Sequence, residues 1–146
     1  MERALMKLAV ALACSLATTA LADTTAAERK AVFGDTTVYY NAFASTVLQP
    51  RVAQAYQLER GKSISLLNIT VLRGSRASVA DVSGQMSNEA GHPTQLQFRP
   101  VAEGDSVSYI APFAVTEAGA YRFDIQVTAA GARHRLTFNQ ELFPSE

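Results

Sequence analysis

The sequence predicts an all-β protein, and more narrowly an antiparallel β-sandwich of about seven strands. Apolar and polar residues alternate with a period of two in several segments, and Gly, Asn, Asp and Ser residues separate these segments every ~10–12 residues. The stretch from Glu117 to Phe123 also has the pattern of a tyrosine corner, with Tyr121 two residues before a core position on the penultimate strand. The fold class expected is therefore an immunoglobulin-like or fibronectin-III-like sandwich. A chain of 146 residues fits one such domain.

The individual strands are assigned from the apolar face that each one carries. The clearest face belongs to Tyr121, Phe123, Ile125 and Val127, which alternate with polar residues. The segment Ile64–Leu72 is apolar on both faces and is expected to be a central strand or to contain a bulge that switches faces. The predicted strands span residues 36–43, 63–73, 77–87, 94–102, 106–115, 120–129 and 132–143.

One segment, Gln49–Leu58, has a helical rather than an extended pattern. Pro50 suits the first position of a helix, and Val52, Ala53 and Tyr56 then fall on one face. We expect a short helix after the first strand that closes one end of the sandwich.

The first 22 residues have the pattern of a cleaved signal peptide. A basic start precedes an uncharged apolar stretch of about 15 residues, which is shorter than a membrane span. A small-x-small motif ends at Ala22, so cleavage is expected between Ala22 and Asp23. The domain organisation predicted is a signal peptide (1–22), a flexible leader (23–30) and one sandwich domain (31–146), with the protein exported to the periplasm.

Two alternatives to a cleaved signal are an uncleaved membrane anchor and a lipoprotein attached through Cys14. The segment before Cys14 is a poor lipobox, and cutting there would leave too short an apolar segment. Cys14 is the only cysteine, so the chain expected after cleavage has none and folds without a disulfide. No membrane span is expected in that chain.

The composition excludes several classes of function. The formal net charge of +0 argues against a nucleic-acid-binding protein. The two histidines, His92 and His134, lack the spacing of a metal site or a catalytic base. Glu103 and Asp105 flank Gly104 in the manner of an exposed hairpin turn. The sequence therefore predicts no catalytic residues, no metal and no cofactor, and hence a protein that is not an enzyme.

Two groups of aromatic residues are candidates for binding. On the first strand Tyr39, Asn41 and Phe43 share one face, which is either covered by the helix or exposed as an interaction surface. Tyr40 faces the other way, and with Tyr56 of the helix it is the candidate lining of a pocket.

The chain also resembles a family of uncharacterised proteins. The residues that carry the resemblance are Tyr40–Phe43, Leu48, Pro50, Val52, Ala53, Tyr56, Arg60, Leu67, Asn68, Ile69, Val71 and Tyr121–Val127. Together they are similar to a domain-of-unknown-function family of small secreted proteins from gammaproteobacteria such as pseudomonads. The resemblance covers about residues 30–143. It implies a periplasmic β-sandwich and supplies no catalytic residue.

Three functions are compatible with these observations. The first is a non-catalytic binding or protein-interaction module whose partner is a periplasmic protein or a small ligand. The second is a carrier of a small apolar ligand or lipid in a pocket capped by the short helix. The third is an enzyme whose site the linear sequence does not reveal.

Overall fold

The computed structural model describes residues 29–146, in which ten strands and two short helical segments follow one another. The expected signal peptide, its cleavage site at Ala22 and Asp23, and most of the leader lie outside these residues. The helical segments are a 3-10 turn at Ser45–Val47 and α1 at Pro50–Ala55. The strands are β1 (Lys30–Phe33), β2 (Thr36–Ala44), β3 (Ile64–Arg73), β4 (Arg76–Ala77), β5 (Asp81–Ser87), β6 (Pro93–Gln95), β7 (Arg99–Glu103), β8 (Ser106–Ala114), β9 (Gly119–Ala129) and β10 (Ala132–Leu142).

The strands form two antiparallel sheets, so the predicted sandwich is confirmed. The larger sheet has the order β1-β2-β3-β8-β7, with β4 also pairing with β3, and the smaller sheet has the order β10-β9-β5-β6. If β2, β3, β5, β7, β8, β9 and β10 are lettered A to G, the sheets read A-B-E-D and G-F-C. This is the strand arrangement of immunoglobulin-like domains.

The inner faces of the two sheets pack on each other and form the main core. The fully buried side chains include Val38, Leu67 and Ile69 from the larger sheet and Phe123 and Ile125 from the smaller one. These residues occupy one parity of each strand, as the period-two alternation predicts.

The tyrosine corner forms as the sequence predicts. The Tyr121 hydroxyl donates to the backbone oxygen of Glu117 at 2.8 Å. Two residues later, Phe123 is fully buried and lies edge-on to Phe113 and stacked on Phe138. The position that carries a cysteine in antibody domains is thus filled by an aromatic ring, which supplies the inter-sheet contact without a disulfide.

The predicted strand boundaries need correction in two places, because the chain changes sheet where a single strand was expected. Residues 77–87 divide into β4, which pairs with the larger sheet, and β5, which pairs with the smaller one. Residues 94–102 divide in the same way into β6 and β7. Ala80 and Leu96, at the two crossings, are both buried between the sheets, so the apolar alternation continues across each change of sheet and conceals it.

The beginning of the domain also differs from the expectation. Lys30, which was assigned to the leader, starts strand β1, and β1 pairs with β2 in the register Lys30 to Tyr39. Strand β2 therefore has a neighbour on both sides over Thr36–Tyr39.

The helix lies on the larger sheet rather than at the end of the sandwich. Ala53 of α1 and Leu58, just after it, are buried against Leu66, whose side chain points away from the inter-sheet core. Phe43 and Ile110 pack into the same small cluster. The larger sheet is thus covered on both faces where α1 lies, and this explains why β3 is apolar on both parities. No helix within residues 29–146 is long and apolar enough to cross a membrane.

Candidate functional site

The predicted interaction surface is divided by the helix. Tyr39, Asn41 and Phe43 all point outward from the larger sheet, since they alternate with the core residues Val38 and Ala42. Phe43 packs under α1 as part of the second cluster. Asn41 is exposed and Tyr39 is partly buried, with the Lys30 amino group 6.0 Å from the centre of its ring. Only Tyr39 and Asn41 therefore remain as candidates for contact with a partner.

The predicted pocket residues, Tyr40 and Tyr56, lie on opposite faces of the larger sheet. The Tyr40 ring stacks on Phe138 at a centroid distance of 4.3 Å, inside the sandwich. Tyr56 lies on the outer face beside α1. The two rings do not share a pocket, because adjacent positions on β2 alternate in direction and α1 covers only the outer one. A pocket does exist at Tyr56.

The helix is set on the sheet by its two ends. Pro50 occupies the first turn, where its missing N–H is not needed. Gln57, with a φ of 54°, turns the chain out of the helix, and the Leu58 N–H donates to Ala53 O at 2.7 Å. The Arg99 guanidinium on β7 donates to the Tyr56 oxygen at 2.7 Å and also to the Gln57 oxygen. A cation thus holds the carbonyls that directly follow α1 against the edge of the sheet.

The space between α1 and the β7–β8 hairpin is a pocket of about 200 Å³. Its walls are mostly apolar, with α1 on one side, β3 and β8 beneath and β7 opposite. The lining residues are Phe43, Leu48, Val52, Tyr56, Leu58, Asn68, Val101, Glu103, Ser106, Ser108 and Ile110. We call this space the α1 pocket.

The strand register explains why these side chains meet. Asn68 of β3 is directly opposite Asn41 of β2 on one side and Ile110 of β8 on the other. Ser108 of β8 is opposite Val101 of β7. Residues paired in this way point to the same face of a sheet, so Asn68, Ser108, Ile110 and Val101 form a continuous outer surface that α1 only partly covers.

The central polar group of the pocket has no partner. The Asn68 carboxamide oxygen is buried and makes no hydrogen bond with any described residue. Ser108 Oγ, one strand away, lies 3.1 Å from Thr70 Oγ1. Glu103 is exposed at the end of β7, where the hairpin turns through Gly104. Along the part of the chain that the structure describes, no ion pair engages the Glu103 carboxylate.

Sequence reasoning identified Tyr56 and missed Asn68 and Glu103. The signal for Asn68 is its position as an amide in the middle of the otherwise apolar run Leu66–Ile69, where a buried polar group needs a partner. Glu103 lies in the exposed hairpin that the sequence predicts, and only the strand register shows that its side of β7 borders the pocket.

The two histidines do not come together. His92 is next to Pro93, which pairs with Ser87 of β5, and Ser87 in turn pairs with Arg122 of β9. His134 pairs instead with Val127 of β9. These two positions on β9 are about 17 Å apart along the strand. His134 is stacked on Phe33 at 4.6 Å, and His92 is exposed in its turn. Among residues 29–146, no group of three or more His, Cys, Asp or Glu side chains is arranged to hold a metal ion.

The charged pair with a clear pKa effect lies on the other sheet. Arg135 of β10 donates to both carboxylate oxygens of Asp124 on β9, at 2.9 and 2.6 Å. The hydrogen bond to Arg135 is the main cause that lowers the pKa of Asp124 below its usual value. This pair is on the outer face of the smaller sheet and is not part of the α1 pocket.

Comparisons with known proteins identify a family and a shared fold. The model of the DUF4426 family, described as a domain of unknown function, matches residues 30–145. A crystal structure of a DUF4426 family protein (PA0388) from Pseudomonas aeruginosa PAO1 is similar to this chain, with 34% sequence identity and a TM-score of 0.75, over 82% of this chain and 97% of that one. No curated protein matches the chain.

Two crystal structures of FetP from uropathogenic Escherichia coli share the fold at low sequence identity. FetP as isolated, after recombinant expression in the periplasm, is 11% identical with a TM-score of 0.57, over 82% of this chain and 95% of that one. A copper-bound FetP variant is 12% identical with a TM-score of 0.58, over 80% and 95%.

Proposed function

Since the chain belongs to the DUF4426 family, whose function is unknown, we propose that it is an exported, non-catalytic binding protein of the periplasm. Its binding site is the α1 pocket. The ligand is a small molecule with an apolar body and one hydrogen-bond donor. This proposal combines the binding module and the ligand carrier expected from the sequence, and moves the pocket to the outer face of the larger sheet.

The observation that carries the proposal is the unpaired Asn68 oxygen beneath the pocket. Leaving a buried acceptor without a donor costs about 1–3 kcal/mol, and an apolar side chain at this position would avoid that cost. The terminal amide turns readily about χ2, because such torsions have broad energy wells. An occupant of the pocket that donates a hydrogen bond therefore gains a partner that the protein itself does not supply.

The pocket size sets the size of the ligand. An apolar cavity of ~150 Å³ accommodates benzene, so by the same ratio a space of about 200 Å³ has room for about eight non-hydrogen atoms. Typical drug-sized pockets are larger, at roughly 300–1,000 Å³. We therefore expect a compact ligand, or one small group of a longer molecule whose remainder extends past Glu103 into solvent.

The arrangement of reactive side chains supports a non-catalytic role. A general base must lie within hydrogen-bond reach of the group that it activates. The pocket is lined by Ser106, Ser108 and the Glu103 carboxylate but by neither histidine. Ser108 Oγ is within hydrogen-bond distance of Thr70 Oγ1, and among residues 29–146 the Glu103 carboxylate makes no hydrogen bond with either serine.

The test is a pocket-filling variant compared with a matched surface variant. Val101→Phe places a ring in the α1 pocket without removing Asn68 or Glu103. Val79→Phe makes the same substitution at a side chain that is 80% exposed and outside the pocket. Small apolar molecules that carry one hydrogen-bond donor are screened by NMR against the parent protein and both variants. The chemical shifts of the backbone amides are followed.

The expected result is that ligand-dependent shifts cluster at residues 68, 101 and 108, disappear in Val101→Phe and persist in Val79→Phe. Shifts that cluster elsewhere, or that survive Val101→Phe unchanged, would overturn the proposed site.

A second candidate is docking of a partner protein on the outer face next to the pocket. It is favoured by the exposed Asn41, which lies directly opposite Asn68 and beyond the cover of α1, with Tyr39 two residues away. Crosslinking in intact cells with parent and Tyr39→Ser proteins tests this candidate. A partner captured by the parent and lost in Tyr39→Ser would support it, and capture that is equal in both proteins would exclude Tyr39 from the surface.

A further inference from the structure

We infer that the ligand of the α1 pocket is a small organic cation, namely a protonated amine on a short apolar body. The inference rests on the proposed function and adds the charge of the ligand. It follows from the kinds of polar atom that line the pocket.

The groups around the pocket are suited to accept hydrogen bonds. Asn68 holds a buried, unpaired carboxamide oxygen that a turn about χ2 brings to the pocket. Ser106 and Ser108 present hydroxyl oxygens, and Glu103 presents a carboxylate. A carboxylate only accepts, and a hydroxyl oxygen can accept. A ligand with several N–H donors on one atom satisfies such a set, whereas a ligand with only acceptors leaves Asn68 and Glu103 unpaired.

The charges around the pocket favour the same ligand. Glu103 is the single charged residue among those that line it. Arg99 lies four residues earlier on β7, and its guanidinium is turned towards the backbone oxygens of Tyr56 and Gln57. Glu103 is therefore the charged side chain that an occupant of the pocket meets directly.

The apolar walls also suit a cation with a hydrophobic body. Phe43 and Tyr56 place two aromatic rings in the lining, and the face of an aromatic ring attracts a cation within about 6 Å of its centre. Leu48, Val52 and Ile110 supply the surface against which an apolar body loses its contact with water.

The test uses three probes of nearly equal size and different charge: phenethylamine, 2-phenylethanol and phenylacetate. Binding is measured by NMR titration at pH 7, where the three are a cation, a neutral donor and an anion. We expect dissociation constants on the order of a millimolar for the amine, given its few atoms. The alcohol is expected to bind about tenfold more weakly, since it lacks the charge-assisted bond, and the anion is expected to bind most weakly.

Two variants assign the preference to Glu103. In Glu103→Gln the advantage of the amine over the alcohol is expected to fall to about twofold or less, while alcohol binding is retained. Asp105→Asn removes a neighbouring carboxylate that does not line the pocket, and it is expected to leave the advantage unchanged.

The outcomes separate this inference from the function on which it rests. Equal or tighter binding of the alcohol or of phenylacetate would overturn the inference and leave the pocket as a binding site. An amine advantage that survives Glu103→Gln would overturn the recognition of charge by Glu103. Absence of binding of all three probes at about ten times the expected dissociation constant would overturn both the inference and the proposed function.

Discussion

Replacement of Asn68 by leucine should stabilise the protein and weaken ligand binding. Asn68 holds a buried oxygen without a hydrogen-bond partner, and its strand neighbour Leu66 and cross-strand neighbour Ile110 are apolar. Leucine has a similar shape and carries no group that requires a partner. The substitution therefore removes a cost in the folded state and, with it, the acceptor that we assign to the ligand.

The magnitude follows from the cost of an unsatisfied buried acceptor. That cost is about 1–3 kcal/mol, and replacement of a polar group by an apolar one of the same shape recovers much of it. We expect Asn68→Leu to raise the free energy of unfolding by about 1–2 kcal/mol. For a domain of this length, that corresponds to a rise in melting temperature of about 4–8 °C. Binding of an amine probe should weaken by about tenfold or more.

The assay is urea unfolding and calorimetry of the parent, Asn68→Leu and Asn41→Leu. Asn41 is the matched control, because it is the same residue type at the paired position on β2, on the same face, but exposed. Its substitution should change stability by no more than about 0.5 kcal/mol. Destabilisation of Asn68→Leu by more than about 1 kcal/mol would refute the reasoning, since it would show that the amide already has a partner in the folded protein.

Three further predictions concern the sandwich. Gly84→Ala should lower the free energy of unfolding by about 3 kcal/mol or more, because a Cβ at Gly84 would lie 2.5 Å from the backbone oxygen of Asp124. Urea unfolding measures this loss, and a loss below about 1 kcal/mol would contradict the close contact. Tyr121→Phe should cost about 1 kcal/mol by removing the bond to Glu117, and an unchanged calorimetric melting temperature would show that the corner bond is dispensable. Arg135 holds the pKa of Asp124 below its usual value, so the contribution of the Asp124 carboxylate to stability is present above about pH 4 and is lost as the pH falls through the lowered pKa. The stability difference between the parent and Asp124→Asn should therefore be present at pH 7 and close in acid, whereas a difference that grows below pH 4 would refute the assignment.

The strands were predictable because each one buries a single face. The alternation in β9 and β8, and the corner at Tyr121, depend on local spacing that the sequence displays directly. The turn between β9 and β10 is equally local, since Ala130 and Gly131, with φ of 51° and 77°, form a two-residue hairpin turn. The sheet changes at Ala80 and Leu96 were not predictable, because burial in the core gives the same alternation whichever sheet supplies the strand.

The site was predictable only in part, for a related reason. The sequence shows that Phe43 and Leu66 are apolar on the outward parity of their strands, which requires a cover, and it supplies a helix with one apolar face. The sequence does not show which end or face of the sandwich the helix covers, and the prediction that Tyr40 and Tyr56 line one pocket depended on that choice. The role of Asn68 follows only from the register that places it beside Ile110 and beneath the pocket.

The length of α1 explains why a pocket forms on this face at all. Six residues make a helix about 9 Å long and about 10 Å wide. The four strands β2, β3, β8 and β7 span about 14 Å across, at ~4.8 Å per spacing, so α1 cannot cover all of them. The uncovered part lies over β8 and β7, where Ser108 and Glu103 provide polar atoms, and borders Asn68 on β3. Arg99 ties the Tyr56 and Gln57 carbonyls, which follow α1, to β7. The segment between β2 and β3 thus supplies one wall of the proposed binding site and packs on the outer face of the larger sheet, away from the main core.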